Sequence, residues 1–257
     1  MARIERDGVG IHYERHAGRR GHTVLLSHGY SATSGMWQGQ IEALTAWGDL
    51  IVWDMRGHGQ SDSPDDPALY SEAHTVGDMR AILDACGVER AVIGGLSLGG
   101  YMTLAFHLDA PDRCEALMLF DTGPGYKKDA GRDGWNQTAA QRAASLEQDG
   151  LAALGTGDEV RIAQHRSAQG LAHAARGMLA QVDDRVIQSL PSIALQTLVL
   201  VGENDTPFRI PSDYMEAKIP RGQLAVIPDA GHASNIDQPE RFNEAVGSFL
   251  AGLERGA

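Results

Sequence analysis

Apolar residues fall in short runs that recur along the chain, separated by longer segments of helical period. Residues 23–27, 50–53, 90–94, 116–120, 196–201 and 223–227 each hold a compact stretch rich in Val, Ile and Leu. Runs that are apolar almost without a break suit strands covered on both faces, as in a parallel sheet between helix layers. Helical patterns occupy residues 36–47, 74–86, 98–108, 212–219 and 239–253. Pro239 fits a first helical turn, and Ile219-Pro220 marks a helix end. Residues 3–6 and 9–14 flank Asp7-Gly8 and alternate in polarity, which predicts an antiparallel hairpin at a sheet edge. Strands that alternate with helices predict an α/β fold with a mostly parallel, doubly wound sheet.

One stretch breaks the alternation. Residues 123–191 carry no strand signal, only helix-favouring sequence rich in Ala, Gln and Arg and divided by glycines such as Gly131, Gly150 and Gly170. About 70 residues is too long for a single crossover. The division expected is therefore a core domain of residues 1–122 and 192–257, with a small helical cap of residues 123–191 inserted after the sixth strand.

Composition narrows the function classes. The 257 residues are 42% hydrophobic and 22% charged, ordinary values for a soluble globular enzyme. Thirty-four acids against 22 bases give a net charge of −12, with no basic cluster beyond pairs such as Arg19-Arg20 and Lys127-Lys128. Nucleic acid and anionic membranes are poor partners for such a surface. Cys86 and Cys114 lack metal-ligand spacing and read as free thiols in a reducing compartment. The first residues lack the apolar core of a signal peptide, so the expected location is cytoplasmic. A monomer or homodimer acting on a small molecule is expected.

The chemistry is concentrated at Gly95-Leu96-Ser97-Leu98-Gly99, between the strand at 90–94 and the helix at 98–108. A serine on a tight strand-to-helix turn holds its hydroxyl clear of the backbone. Glycines at the flanking positions avoid collision with the neighbouring strand or helix. The Leu98 amide, at the helix N-terminus, is placed to meet an oxyanion. A serine nucleophile needs a base, and the base needs an orienting acceptor. His232, in Asp229-Ala230-Gly231-His232, follows the last strand, and Asp205 follows the strand at 196–201. Both lie at carboxyl ends of predicted parallel strands, where functional loops gather. The order Ser97, Asp205, His232 is nucleophile, acid, base.

With these residues in view, the chain resembles α/β-hydrolase-fold serine hydrolases along nearly its whole length. The match is carried by His28-Gly29-Tyr30, Asp54-Met55-Arg56-Gly57-His58-Gly59-Gln60-Ser61, Gly95 to Gly100 and Gly231-His232. The resemblance implies a second oxyanion donor, the Tyr30 N–H, and structural roles for His28, His58, Asp54, Arg56 and Ser61 in holding the adjacent loops. It also leaves Asp121, after the strand at 116–120, as a competing acid. Asp237 reads as a cap for the last helix. The sequence departs from several subfamilies at Tyr30-Ser31, where Gly-rich or Pro-containing loops occur. A serine in place of Asp or Cys argues against dehalogenases, epoxide hydrolases and dienelactone hydrolases.

Similarity within the family is greatest to 3-oxoadipate enol-lactonases and small cofactor-free esterases. The expected reaction is cleavage of a carboxylic ester or lactone through an acyl-Ser97 intermediate, without metal or organic cofactor. An acidic chain with few convergent bases favours neutral substrates over dicarboxylates. Trp37, Trp135 and Met178 are the expected pocket residues, with Leu154, His173 and Leu179 also in the cap. Two alternatives stay open. One is a C–C hydrolase of meta-cleavage products, which Arg132, Arg142, Arg166 or Arg176 facing the pocket would support. The other is a slow-turnover signalling receptor.

Overall fold

Successive residues of a strand face opposite sides of its sheet, and along the central strands of this chain both sets are apolar. The computed structural model describes residues 2–19 and 21–254. Its strands are β1 (Ala2–Arg6), β2 (Val9–His16), β3 (His22–Ser27), β4 (Gly48–Trp53), β5 (Ala91–Leu96), β6 (Cys114–Phe120), β7 (Thr197–Gly202) and β8 (Gly222–Ile227). They form one sheet in the order β1-β2-β4-β3-β5-β6-β7-β8. Strands β3 to β8 are parallel, while β2 is antiparallel to both β1 and β4. Asp7 and Gly8 both take positive φ, +55° and +73°, the geometry of a two-residue hairpin turn.

The helices of the first half are α1 (Ile41–Thr45), α2 (Glu72–Ala85), α3 (Leu98–Asp109) and α4 (Asp129–Asp149). Those of the second are α5 (Asp158–Ile162), α6 (Ala168–Ala174), α7 (Arg185–Ser189), α8 (Thr206–Lys218), α9 (Ser234–Asp237) and α10 (Pro239–Glu254). Leu25, Ile51, Ile93 and Leu117 pack with Met79 and Ile82 of α2 and Phe106 of α3. Leu26, Val52, Val92 and Met118 pack in the opposite layer with Leu44 of α1 and Phe242 and Val246 of α10. The parallel core is thus covered on both sides, as the unbroken apolar runs require. No helix among the described residues is long and apolar enough to cross a membrane.

Two helices depart from the sequence pattern. Residues 34–40 form a 3₁₀ turn before the short α1, where Gly35 and Gly39 disfavour a continuous α-helix. Helix α8 begins at Thr206, six residues before the predicted start, and carries Pro211 inside it. A proline inside the pattern reads as a breaker, which hides the first turn from the sequence.

Between β6 and β7 lie α4 to α7, with a π-helical turn at Ala175–Leu179. Helix α4 is polar around most of its surface and buries only Ala139, Ala143 and Leu146. It packs on α6 and on the π turn, whereas α7 packs on α3 beside the sheet. Of the helices in residues 123–191, α7 is thus the one that packs on α3.

The loop after β4 is fixed from within. The Asp54 carboxylate accepts the Ser34 and Gln60 amides at 2.7 and 2.8 Å, and Ser61 Oγ donates to the Asp54 carbonyl. Arg56, only 1% exposed, makes a two-point ion pair with Asp78 at 2.7 and 2.8 Å. Removing the Asp78 charge leaves buried Arg56 with the longer, partly exposed contact to Asp7 at 3.4 Å. Asp78→Asn should lower unfolding stability by about 3–5 kcal/mol in urea titrations. A loss below about 1 kcal/mol, the range of exposed pairs, would contradict this role.

Candidate active site

Strand β5 ends at Leu96 and α3 starts at Leu98, so the whole change of direction falls on Ser97. Its φ of +55° and ψ of −115° lie outside the regions open to most L-residues. The strain is held from both sides. The Ser97 N–H donates to the Phe120 carbonyl at 2.9 Å. Its carbonyl accepts the Tyr101 amide at 3.1 Å and Thr122 Oγ1 at 2.6 Å. A Cβ at Gly95 would collide with the Gly99 backbone, and one at Gly99 with the Ser27 and His28 carbonyls. The hydroxyl is half-buried on a pocket wall and makes no hydrogen bond among the described residues.

His232 and Asp205 arrive from the loops after β8 and β7. Asp205 occupies the N-cap position of α8, with its carbonyl accepting the Phe208 and Arg209 amides. Its carboxylate does not cap the helix; it accepts His232 Nδ1–H at 2.9 Å. That bond leaves Nε2 as the basic nitrogen of the imidazole. Phe208 stacks on the ring with centroids 5.0 Å apart. Burial works against the charged imidazolium. The hydrogen bond and charge of Asp205, with Asp121 and Glu159 beyond, outweigh it and hold the His232 pKa above its ordinary value. Asp237 Oδ2 accepts the Gly231 amide at 2.7 Å, so it fixes the His232 loop. The final helix takes its first bond from the Gln238 carbonyl instead, which corrects the capping role expected of Asp237.

Asp121 has a different task. Fully buried at φ +46°, it accepts the Gly202 amide at 2.7 Å and the Ser234 hydroxyl. Burial pushes its carboxyl up to about 7 against those two bonds. Of the two candidate acids, the one hydrogen-bonded to His232 is Asp205.

The loop after β3 sits against the serine, with Gly29 close to Ser97 Cβ. Its Gly29 carbonyl accepts His28 Nδ1–H at 2.7 Å and the Ala32 amide at 3.1 Å. Burial lowers the His28 pKa to about 4, so the ring is neutral, and its Nε2 accepts the Met55 amide at 2.9 Å. In a trans peptide the N–H points opposite the carbonyl. Pinning Gly29 O therefore aims the Tyr30 N–H away from the loop. Neither the Tyr30 nor the Leu98 N–H has an acceptor among the described residues, and both residues line the pocket with Ser97. Among those residues no cluster of His, Cys, Asp and Glu is arranged to hold a metal.

A family model of the alpha/beta hydrolase fold matches residues 22–239. The chain belongs to the α/β-hydrolase fold family. Over 251 residues this hydrolase is 32% identical to 3-oxoadipate enol-lactonase 1 of Acinetobacter baylyi, covering 90% of this chain and 89% of that protein. A thermophilic esterase from Thermogutta terrifontis superposes with a TM-score of 0.86 at 27% identity, over 98% of this chain and 99% of that one. A meta-cleavage product hydrolase from Pseudomonas fluorescens superposes with a TM-score of 0.74 at 25% identity, over 98% of both chains.

The hydrolase pocket encloses about 620 Å³ between the strand ends and the helical segment. Trp135 and Leu179 line it, and Trp135 Nε1 donates to the Leu179 carbonyl at 2.8 Å. Trp37 and Met178 do not line it. The 3₁₀ turn directs Trp37 under the sheet, fully buried against Phe120 and Phe242. Met178, in the π turn, is 1% exposed, buried in the cluster that joins the helical segment to the core. Leu154 and His173 also lie off the pocket; His173 packs on Tyr70. The Tyr30 hydroxyl is occupied by the Leu171 carbonyl at 2.9 Å. Arg142, Glu159 and Phe208 also line it, the latter two unforeseen because α5 and the first turn of α8 carry no apolar period to orient them.

A base must be neutral to accept a proton, so with His232 as the base its raised pKa would move the loss of activity to higher pH. The acid limb of kcat/KM should lie above pH 6.5, the ordinary histidine value. Asp205→Asn should move that limb down and lower kcat by about 10⁴-fold. Asp121→Asn should cost less than about tenfold, as expected for a residue that braces loops without touching the base. The reverse ranking of the two variants would make Asp121 the acid.

Proposed function

We propose that this chain is a serine hydrolase that cleaves carboxylic esters or lactones through an acyl-Ser97 intermediate. The observation that carries the reading is the convergence, on one pocket, of a strained serine, a carboxylate-bound histidine and two backbone N–H groups without acceptors. Ser97 Oγ attacks the substrate carbonyl as His232 Nε2 takes its proton. Asp205 holds the imidazole in the required tautomer and stabilises its cation. The Tyr30 and Leu98 amides bind the oxyanion of the tetrahedral intermediate. The intermediate collapses, and His232 passes its proton to the leaving alcohol. Water deprotonated by His232 then attacks the acyl-enzyme and releases the acid. The enol-lactonase and esterase relatives support an ester or lactone as the bond cleaved.

Arg142 qualifies the substrate. It lines the pocket and makes no ion pair among the described residues, whereas Arg132, Arg166 and Arg176 are held by other partners. A free guanidinium there favours acyl groups that carry a carboxylate, a class the overall negative charge of the chain disfavours. The same cation favours a second reading, C–C cleavage of a carboxylated substrate, for which the meta-cleavage relative is the precedent.

A p-nitrophenyl ester series from acetate to decanoate tests the main reading. Turnover above about 1 s⁻¹ that falls roughly 10⁴–10⁶-fold in Ser97→Ala supports it. A single burst without turnover, or equal rates in the variant, overturns it. With mono-p-nitrophenyl glutarate, Arg142→Gln should raise KM about tenfold and leave the neutral butyrate unaffected. Equal effects on both esters would remove Arg142 from substrate binding.

A further inference from the structure

Ser31 directly follows the Tyr30 donor and holds φ at +60°, a region that favours glycine. Its backbone is gripped by two histidines from different parts of the chain. The Ser31 N–H donates to His58 Nε2 at 3.3 Å, from the loop after β4. The Ser31 carbonyl accepts His165 Nε2–H at 2.9 Å, from the turn between α5 and α6. His165 Nδ1 in turn accepts the Gly59 amide at 3.4 Å. An amide only donates and a carbonyl only accepts, so these two contacts select the neutral Nε2–H tautomer. Burial favours that neutral ring, against the pull of the Ser31 bond and the Asp54 charge.

The three rings form a file. His165 meets His58 edge-on at 5.7 Å, and His58 meets Tyr30 at the same distance. The seam around them is tight. Arg166 Nε and Nη2 donate to the Gly59 and Ser61 carbonyls at 3.0 and 3.3 Å. A Cβ on Gly57 would collide with the Gly170 backbone of α6. His28 thus pins the oxyanion loop before Tyr30 from inside the core, and His165 pins it after Tyr30 from the helical segment.

We propose that His165 is a positioning residue for the Tyr30 oxyanion donor: by holding the Ser31 carbonyl it keeps the strained loop, and with it the Tyr30 N–H, in place. This rests on the serine-hydrolase reading above. A left-handed serine persists only where its surroundings over-determine it. His165 is the one side chain donating to the Ser31 carbonyl among the described residues.

The test compares His165→Leu, His165→Gln and Arg166→Met with the wild-type protein. The readouts are kcat and KM on p-nitrophenyl butyrate and the Ki of butylboronic acid, whose tetrahedral serine adduct places an oxygen at the oxyanion position. His165→Leu removes both ring contacts and should lower kcat about 10–100-fold, with KM changed less than about twofold. Its boronate Ki should rise by the same factor as kcat/KM falls. His165→Gln, whose amide offers both a donor and an acceptor, should recover most of the loss. Arg166→Met loosens the same seam without touching Ser31 and should keep its boronate affinity. Should His165→Leu not fold, His165→Asn, polar but shorter, takes its place with the same expected loss. An unchanged boronate Ki in His165→Leu, or in His165→Asn where it stands in, overturns the proposal, and so does an equal rise in Arg166→Met. Wild-type protein that neither turns over the ester nor binds the boronate overturns both this assignment and the reading beneath it.

Discussion

The site depends on one backbone constraint: Ser97 is held in a left-handed turn between β5 and α3. Three hydrogen bonds hold the turn, from its N–H to Phe120 and to its carbonyl from Tyr101 and Thr122. That holding requires β6 to lie in register beside β5, which the Leu96↔Phe120 pairing provides. It also requires the backbones at Gly95 and Gly99 to approach Ser27 and His28 at the end of β3. The same approach brings the Gly29–Tyr30 peptide beside Ser97. The Leu98 amide is then left without an acceptor among the described residues because it opens a helix, and the Tyr30 amide because its peptide is turned by His28. Strain, close packing and the two amides without acceptors are thus consequences of one arrangement.

Two aspartates with contrasting surroundings complete it. Asp205 uses its carboxylate on His232 and only its main chain on α8. Asp121, deeper, spends both oxygens on Gly202 and Ser234 and so ties the ends of β6 and β7 to the stretch that follows His232. Burial raises the Asp121 carboxyl to about 7, which suits a brace more than a charge partner. Their division of labour is set by what each oxygen touches.

The sheet was legible because its strands are apolar on both faces, and the turn at Ser97 because only a narrow glycine pattern allows it. The chain order of Ser97, Asp205 and His232 was legible because each follows a strand run. Asp205 was read as the acid with Asp121 in competition, since both end a strand, and the three-dimensional path of the His232 loop puts the hydrogen bond on Asp205. Trp37 failed as a pocket residue because a 3₁₀ turn, not the expected α-helix, sets its direction. Met178 failed because it is buried in the cluster that joins the helical segment to the core. The start of α8 was masked by Pro211, and the clamp on Ser31 is invisible in sequence, because His165 lies 134 residues from the carbonyl it holds.

Intact-protein mass spectrometry of a rapidly quenched reaction with a slowly deacylating p-nitrophenyl ester most directly tests covalent attack by Ser97. An added acyl mass, mapped by peptide digestion to Ser97, absent in Ser97→Ala and accumulating in His232→Ala no faster than in the wild type, is the expected result. Hydrolysis that proceeds with Ser97 unmodified at every quench time, and survives in Ser97→Ala, would mean that the strained turn serves some other chemistry.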